Sequence, residues 1–210
     1  MGGSVMVLRI LVATTLLAAT VASAQETLWI SDFEDVDPGN PDPTWSNPDF
    51  IVESVGGVNA YTAPWGYSGY SIYQTPVPAE HWLELRVRVD SAQSPDSRLD
   101  IIHRQGGYRV VDFGYIPSDS LFWATLPDAY CGAYYEPGIM EPGVWYHWLI
   151  YSEPSTTDDS CHLQFKWWRE GDDEPDWIIT REQYGCLDPL DMSPETDVSI
   201  VGTNASEFYV

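Results

Sequence analysis

The stretch from Val144 to Thr180, VWYHWLIYSEPSTTDDSCHLQFKWWREGDDEPDWIIT, decides the fold. Val144, Tyr146, Trp148 and Ile150 alternate with Trp145, His147, Leu149 and Tyr151, the period of two that puts successive side chains on opposite faces of a strand. After a polar turn from Glu153 to Ser160 the alternation resumes. Cys161, Leu163, Phe165 and Trp167 take one face, and His162, Gln164, Lys166 and Trp168 the other. An acidic loop and a short return strand complete the segment. This is a hairpin with aromatic side chains on both faces, so more than one layer must cover it. His147 and His162 fall on the same face as cross-strand neighbours, without a zinc-type spacing to the cysteines.

Working outward, the cleanest single strand is His81 to Asp90 (HWLELRVRVD). Leu83, Leu85, Val87 and Val89 point one way, and Trp82, Glu84, Arg86 and Arg88 the other. Further short strands are predicted at Leu28–Phe33, Phe50–Ser54, Gly69–Tyr73, Leu99–His103, Tyr108–Gly114, Leu121–Leu126, Val198–Val201 and Glu207–Val210. Gly106-Gly107 is a turn between two of them. Asp128–Gly143 and Arg181–Asp197 read as loops, rich in turn-forming residues. Helical periodicity is almost absent, and neither repeats nor a dividing linker interrupt the pattern. The fold class is therefore all-β: an antiparallel β-sandwich or jelly roll.

The chain opens with Arg9, an apolar run from Ile10 to Ala22, and small residues at Ala22 and Ala24. That pattern reads as a secretory signal peptide over 1-24, and the rest is expected to be a single secreted domain over 25-210. A membrane anchor is the alternative, but the run is short for one. The last residues, Phe208-Tyr209-Val210, read as a strand in progress, so the domain is expected to be truncated at that end.

Formal charge is -23 over the whole chain, and losing Arg9 with the leader makes it more negative still; Lys166 is the only lysine. Such a field repels nucleic acid and anionic membrane surfaces, and argues against polyanionic substrates. Neither nucleic-acid binding nor membrane insertion is expected. Ten tryptophans give ample material for a core. Of the three cysteines, Cys131, Cys161 and Cys186, at most one pair can close internally. Cys161 with Cys186 is preferred, because it would tie the hairpin to the loop beyond the return strand; Cys131 with either partner remains an alternative.

Several of these residues carry a resemblance. Trp145-Tyr146, then Lys166 with Trp168, Gly171, Glu174-Pro175 and Trp177, then the closing VSIVGTNASEFYV, occur in the order seen in the concanavalin A-like lectin/glucanase superfamily. More narrowly, the chain resembles the laminin G-like modules of secreted microbial proteins. The resemblance covers Leu28 to Val210 and implies the same jelly roll. Modules of this fold bind sugars, cleave them or pack against a neighbour, so it implies no single function.

Candidate chemistry is sparse. The E-x-D-x-x-E string that would put glucanase carboxylates on one strand face is absent. A polysaccharide lyase needs an arginine beside the substrate carboxylate and a Tyr or His to take the proton. Arg86, His103 and Tyr108, with Arg88, Arg104 and Arg109, supply those types across neighbouring strands, and are the catalytic alternative. The plainer reading makes the arginines partners for an acidic surface. Glu34 and Asp35 follow the first strand and offer hard oxygen ligands for a structural calcium. Sugar binding needs planar aromatics near polar groups; the candidates are Trp65, Tyr67 and Tyr70, Trp82, and Tyr134 with Tyr135. Trp29, Trp145, Trp148 and Trp167 are expected in the core. The reading that results is a secreted, non-catalytic module whose partner is a glycan or a neighbouring extracellular domain. A carbohydrate-active enzyme, lyase or hydrolase, is the alternative.

Overall fold

The structure is a computed structural model and describes residues 33–62, 69–74, 77–78, 81–92, 98–105, 108–125, 133–154, 161–183, 195–203 and 206–210. They lie in one compact unit, Asp32–Val210. Its strands are β1 (Ile51–Val55), β2 (Val58–Thr62), β3 (Gly69–Ile72), β4 (Val77–Pro78), β5 (His81–Ala92), β6 (Arg98–Gln105) and β7 (Tyr108–Ile116). They continue with β8 (Leu121–Thr125), β9 (Ala133–Pro137), β10 (Trp145–Pro154), β11 (Cys161–Arg169), β12 (Ile179–Gln183), β13 (Glu195–Thr203) and β14 (Ser206–Tyr209). All pairings are antiparallel. One sheet runs β12-β11-β10-β5-β14, the other β3-β13-β6-β7-β8-β9 with β4 beside β13, and β1 and β2 form a separate hairpin.

Alternation in the sequence is what divides inside from outside. Tyr146, Trp148 and Ile150 of β10 are buried, as are Leu163 and Phe165 of β11 and Leu83, Val87 and Val89 of β5. The facing sheet contributes Leu99, Ile101, Phe113, Tyr115, Phe122 and Ala124. The sheets meet through aromatic rings: Phe122 stacks on Trp167 at 3.7 Å, and Phe113 meets Phe165 edge-on at 5.2 Å. Two buried tyrosines then fix the chain between β9 and β10. Tyr115 Oη accepts a hydrogen bond from the Met140 amide at 3.0 Å, and Tyr146 Oη accepts one from Glu141 at 3.0 Å.

A second, smaller cluster forms at the β1–β2 hairpin. Tyr61 is stacked by Phe33 at 5.3 Å and lies against Trp45 and Phe50, with its hydroxyl 3.0 Å from Ser71 Oγ. Its backbone N–H and C=O both pair with Val210, which fastens this hairpin to the last residue of the chain. Burial pushes the Tyr61 phenol up to about 12, the Ser71 hydrogen bond opposing it and the Asp42 charge reinforcing it. The unfolded chain therefore ionises first, near 10. Stability from this group is complete below pH 10 and is lost as pH climbs toward 12, by about 2–3 kcal/mol in all. Alkaline titration followed by near-UV circular dichroism should show loss of tertiary signal in that window. Phenolate absorbance for Tyr61 appearing well below it, with the fold intact, would refute this.

The predicted hairpin, return strand and β5 are all present, and Trp148 pairs with Trp167 as the hairpin's register requires. Some expectations need correcting. Asp128–Gly143 is not all loop, because Ala133–Pro137 adds β9 to the edge of the sheet beside β8. Val58–Thr62 is a strand where none was predicted. It follows a tight turn at Gly56 and Gly57, whose φ values of 65° and 85° suit a left-handed two-residue hairpin. His147 and His162 are not cross-strand neighbours: His147 pairs with Trp168, and His162 with Glu153. Trp145 lies half-buried on the outer face rather than in the core. Phe33 bends with φ 58°, so no strand continues through it; the rest of Leu28–Phe33 and Trp29 lie outside the described residues, as does 1-24.

Candidate functional site

The outer face of the sheet containing β5, β10 and β11 is built by registry. Across it run the rows Trp82–Tyr151–Gln164–Thr180, then Glu84–Leu149–Lys166, then Arg86–His147–Trp168. Trp82 lies 4.4 Å from Tyr151, centroid to centroid, and 5.5 Å from Trp177 of the loop before β12. These three rings form a ledge on which Trp82 remains 46% exposed. Gln164 and Thr180 continue the row beyond Tyr151, and Glu84 lies one row along. His162 meets the edge of Tyr151 at 5.9 Å.

The loop 170–178 is held over this face by paired charges. Its first turn uses Gly171, at φ 94°. Glu170 receives two hydrogen bonds from Arg86 Nη2, at 2.8 and 2.9 Å. The lone lysine of the chain secures the middle of the loop: Lys166 Nζ pairs with Glu174, donates to the Pro175 carbonyl at 3.2 Å and sits 4.5 Å from the Trp177 ring centre. Lys166 is buried although its position alternates outward, because the loop covers it. Replacing it with methionine keeps the aliphatic stem and removes the charge. Lys166→Met is expected to fold but to free Trp177, so chymotrypsin should cleave within 170–178 faster in Lys166→Met than in the wild type. Equal cleavage rates for wild type and Lys166→Met would count against the clamp.

Other expected site residues are dispersed. Tyr70 and Tyr135 are about half exposed and fall in one register row of the opposite sheet, Tyr70–Val201–Asp100–Gly114–Trp123–Tyr135. They occupy its two ends. The middle of the row is closed, since Asp100, Gly114 and Trp123 are buried. A Cβ on Gly114 would lie 2.3 Å from Trp123 Nε1 and 2.4 Å from Asp100 Oδ1, so the glycine is what lets those groups lean together. Tyr134 pairs with Ala124 and belongs to the other face of β9, because neighbours along a strand alternate. Trp65 and Tyr67 lie outside the described residues.

Arg86 and Arg88 do not share neighbouring strands with His103 and Tyr108. Both arginines are on β5, whereas β6 and β7 belong to the opposite sheet; the chain crosses between the sheets after β5 instead of turning back as a hairpin. Glu34 and Asp35 are exposed, and among the described residues no group of three His, Cys, Asp or Glu side chains is placed to hold a metal ion. Cys186 and Cys131 lie outside the described residues, so the Cys161–Cys186 pairing is not described. Among the described residues no helix is long and apolar enough to cross a membrane.

The sequence does not mark Tyr151 and Trp177 as ledge rings, nor Lys166 as the residue that clamps the loop over them. Only the pairing of β5 with β10 brings Trp82 and Tyr151 together, and only the loop clamp brings Trp177.

The seed lectin of Lotus tetragonolobus superposes with a TM-score of 0.54 over 80% of this chain and 90% of the lectin, at 11% identity. Lectin II from Ulex europaeus gives 0.52 over 81% and 92%, at 7% identity. The fold is the concanavalin A-like jelly roll. Carbohydrate-binding module CBM66 from Bacillus subtilis also superposes, with a TM-score of 0.51 over 79% of this chain and 91% of the module, at 7% identity. At these identities the similarity is one of architecture. No known family pattern and no curated protein sequence matches the chain.

Proposed function

We propose that the chain is an exported, non-catalytic carbohydrate-binding module whose contact surface is the Trp82–Tyr151–Trp177 ledge. The observation that carries this is Trp82 itself. A tryptophan left 46% exposed while flanked by two other rings forgoes about 2 kcal/mol of burial, a feature that a ligand lying on the ring would explain. The apolar face of a pyranose ring fits such a surface, and Gln164, Thr180 and Glu84 stand where ring hydroxyls would need partners. The Lotus and Ulex lectins and CBM66 share this architecture, which supports a sugar-binding reading. The loop also supports a narrower assignment, to the laminin G-like modules. Its motif residues Lys166, Gly171, Glu174 and Trp177 are the ones that seat the loop.

Secretion rests on the leader pattern ending at Ala24. The non-catalytic part rests on Arg86. A lyase needs a guanidinium available to a uronate carboxylate, and Arg86 already faces Glu170 with both carboxylate oxygens engaged.

The test is incubation of the exported chain with plant, algal and microbial polysaccharides, following retention and new chain ends in the same tubes. Retention without new ends is expected. New reducing or unsaturated ends would overturn the non-catalytic reading, and no retention on any polymer would favour packing against a neighbouring extracellular domain.

A further inference from the structure

We propose that the ledge takes an uncharged polysaccharide and rejects anionic ones, a proposal that rests on the glycan-binding reading above. Every described arginine or lysine side chain, Arg86, Arg88, Arg98, Lys166 and Arg169, faces a carboxylate oxygen at 3.5 Å or closer. On the ledge side, Arg86 and Lys166 are the two that hold the loop down, so their charges are compensated from within the chain. An incoming uronate or sulfate would have to displace Glu170 or Glu174 and, with it, the segment that supplies Trp177.

Carboxylates without such a role line the same loop. Asp172, Asp173 and Asp176 are all exposed, and Asp176 is the residue directly before Trp177. Successive Cα atoms are about 3.8 Å apart, so Asp176 stands beside Trp177, well within the screening length of about 8 Å at physiological salt, and Asp172 and Asp173 add to the charge of the same loop. A polyanion laid along Trp82 and Trp177 would be repelled by Asp176 at close range, in a chain whose formal charge is already -23. An uncharged sugar meets no such penalty. It needs an aromatic face, which the rings give, and acceptors for hydroxyl protons, which carboxylates such as Glu84 and the Gln164 amide give.

Affinity electrophoresis of the full exported chain tests this, with hydroxyethylcellulose, xyloglucan, mannan and laminarin as uncharged polymers, and alginate and polygalacturonate as anionic ones. At least one uncharged polymer should retard the protein, by an amount that changes less than about twofold between low and high salt. Alginate and polygalacturonate should not retard it even at low salt. Asp173→Lys combined with Asp176→Lys should then gain retardation by alginate that high salt removes, while keeping the uncharged ligand. Retardation of the wild type by either polyanion would overturn the charge class and leave the glycan-binding reading standing. Failure with every polymer would overturn both.

Discussion

Trp82→Ala is expected to abolish measurable retention on whichever glycan the wild type binds, while leaving the melting temperature within a few degrees. The first half follows from position. Trp82 is the exposed ring of the ledge, and truncating a central aromatic of a binding surface removes about 2 kcal/mol or more, at least about thirtyfold in affinity. The second half follows from what Trp82 does not do. It lies on the outer face of β5, opposite in alternation to the buried Leu83, Val87 and Val89, so removing it opens no cavity in the core. Tyr151 and Trp177 lose a neighbour, yet Trp177 keeps Lys166 at 4.5 Å and should stay in place. Trp82→Phe should retain part of the affinity, since a smaller ring still offers a flat face. Full retention by Trp82→Ala would show that the glycan is held elsewhere, for example near the exposed Tyr70 or Tyr135.

Much of the architecture was legible because alternation is a local property. Leu83 to Val89 and Val144 to Trp167 declare both their strands and their faces without knowledge of any partner. Where alternation fails the reading fails with it. Val-Asn-Ala-Tyr-Thr in β2 mixes polar and apolar residues on both faces because it packs Tyr61 into a separate small cluster. Ala-Tyr-Tyr-Glu-Pro in β9 looks like a loop because an edge strand tolerates proline.

The site was legible only in part, and for a related reason. Trp82 could be singled out as a tryptophan on the polar face of a strand. Its companions depend on which strands lie side by side, a non-local fact that the order of strands in the sequence does not reveal. The same non-locality put Arg86 and His103 on separate sheets, and strand alternation separated Tyr134 from Tyr135. Lys166 is the instructive case. As the lone lysine of a very acidic chain it invites a role at the surface, and its role is to anchor the loop that carries Trp177.

Phe122→Ala should be the most destabilising single substitution considered, and should leave the ledge's affinity intact for the folded fraction. Phe122 is fully buried at the meeting of the sheets. Its ring stacks on Trp167 at 3.7 Å, lies 4.7 Å from Tyr115, and reaches Trp148 and Phe165 edge-on at 6.0 and 6.1 Å. The Gly138 backbone also presses on it, since a Cβ there would come within 2.8 Å of the ring. Removing such a ring costs about 3–5 kcal/mol, because rigid aromatic neighbours cannot collapse into the space. For a domain of this size that corresponds to a fall in melting temperature of about 10 °C. Phe122→Leu keeps most of the volume and should lose about a third as much. The separation of effects is what makes the pair of experiments decisive. Phe122 touches the inner side of β11, whereas the ledge stands on the outer side, so denaturant melts should shift while retention per folded molecule does not. A melting temperature changed by no more than a degree or two would mean that the sheets are not held together where these rings meet.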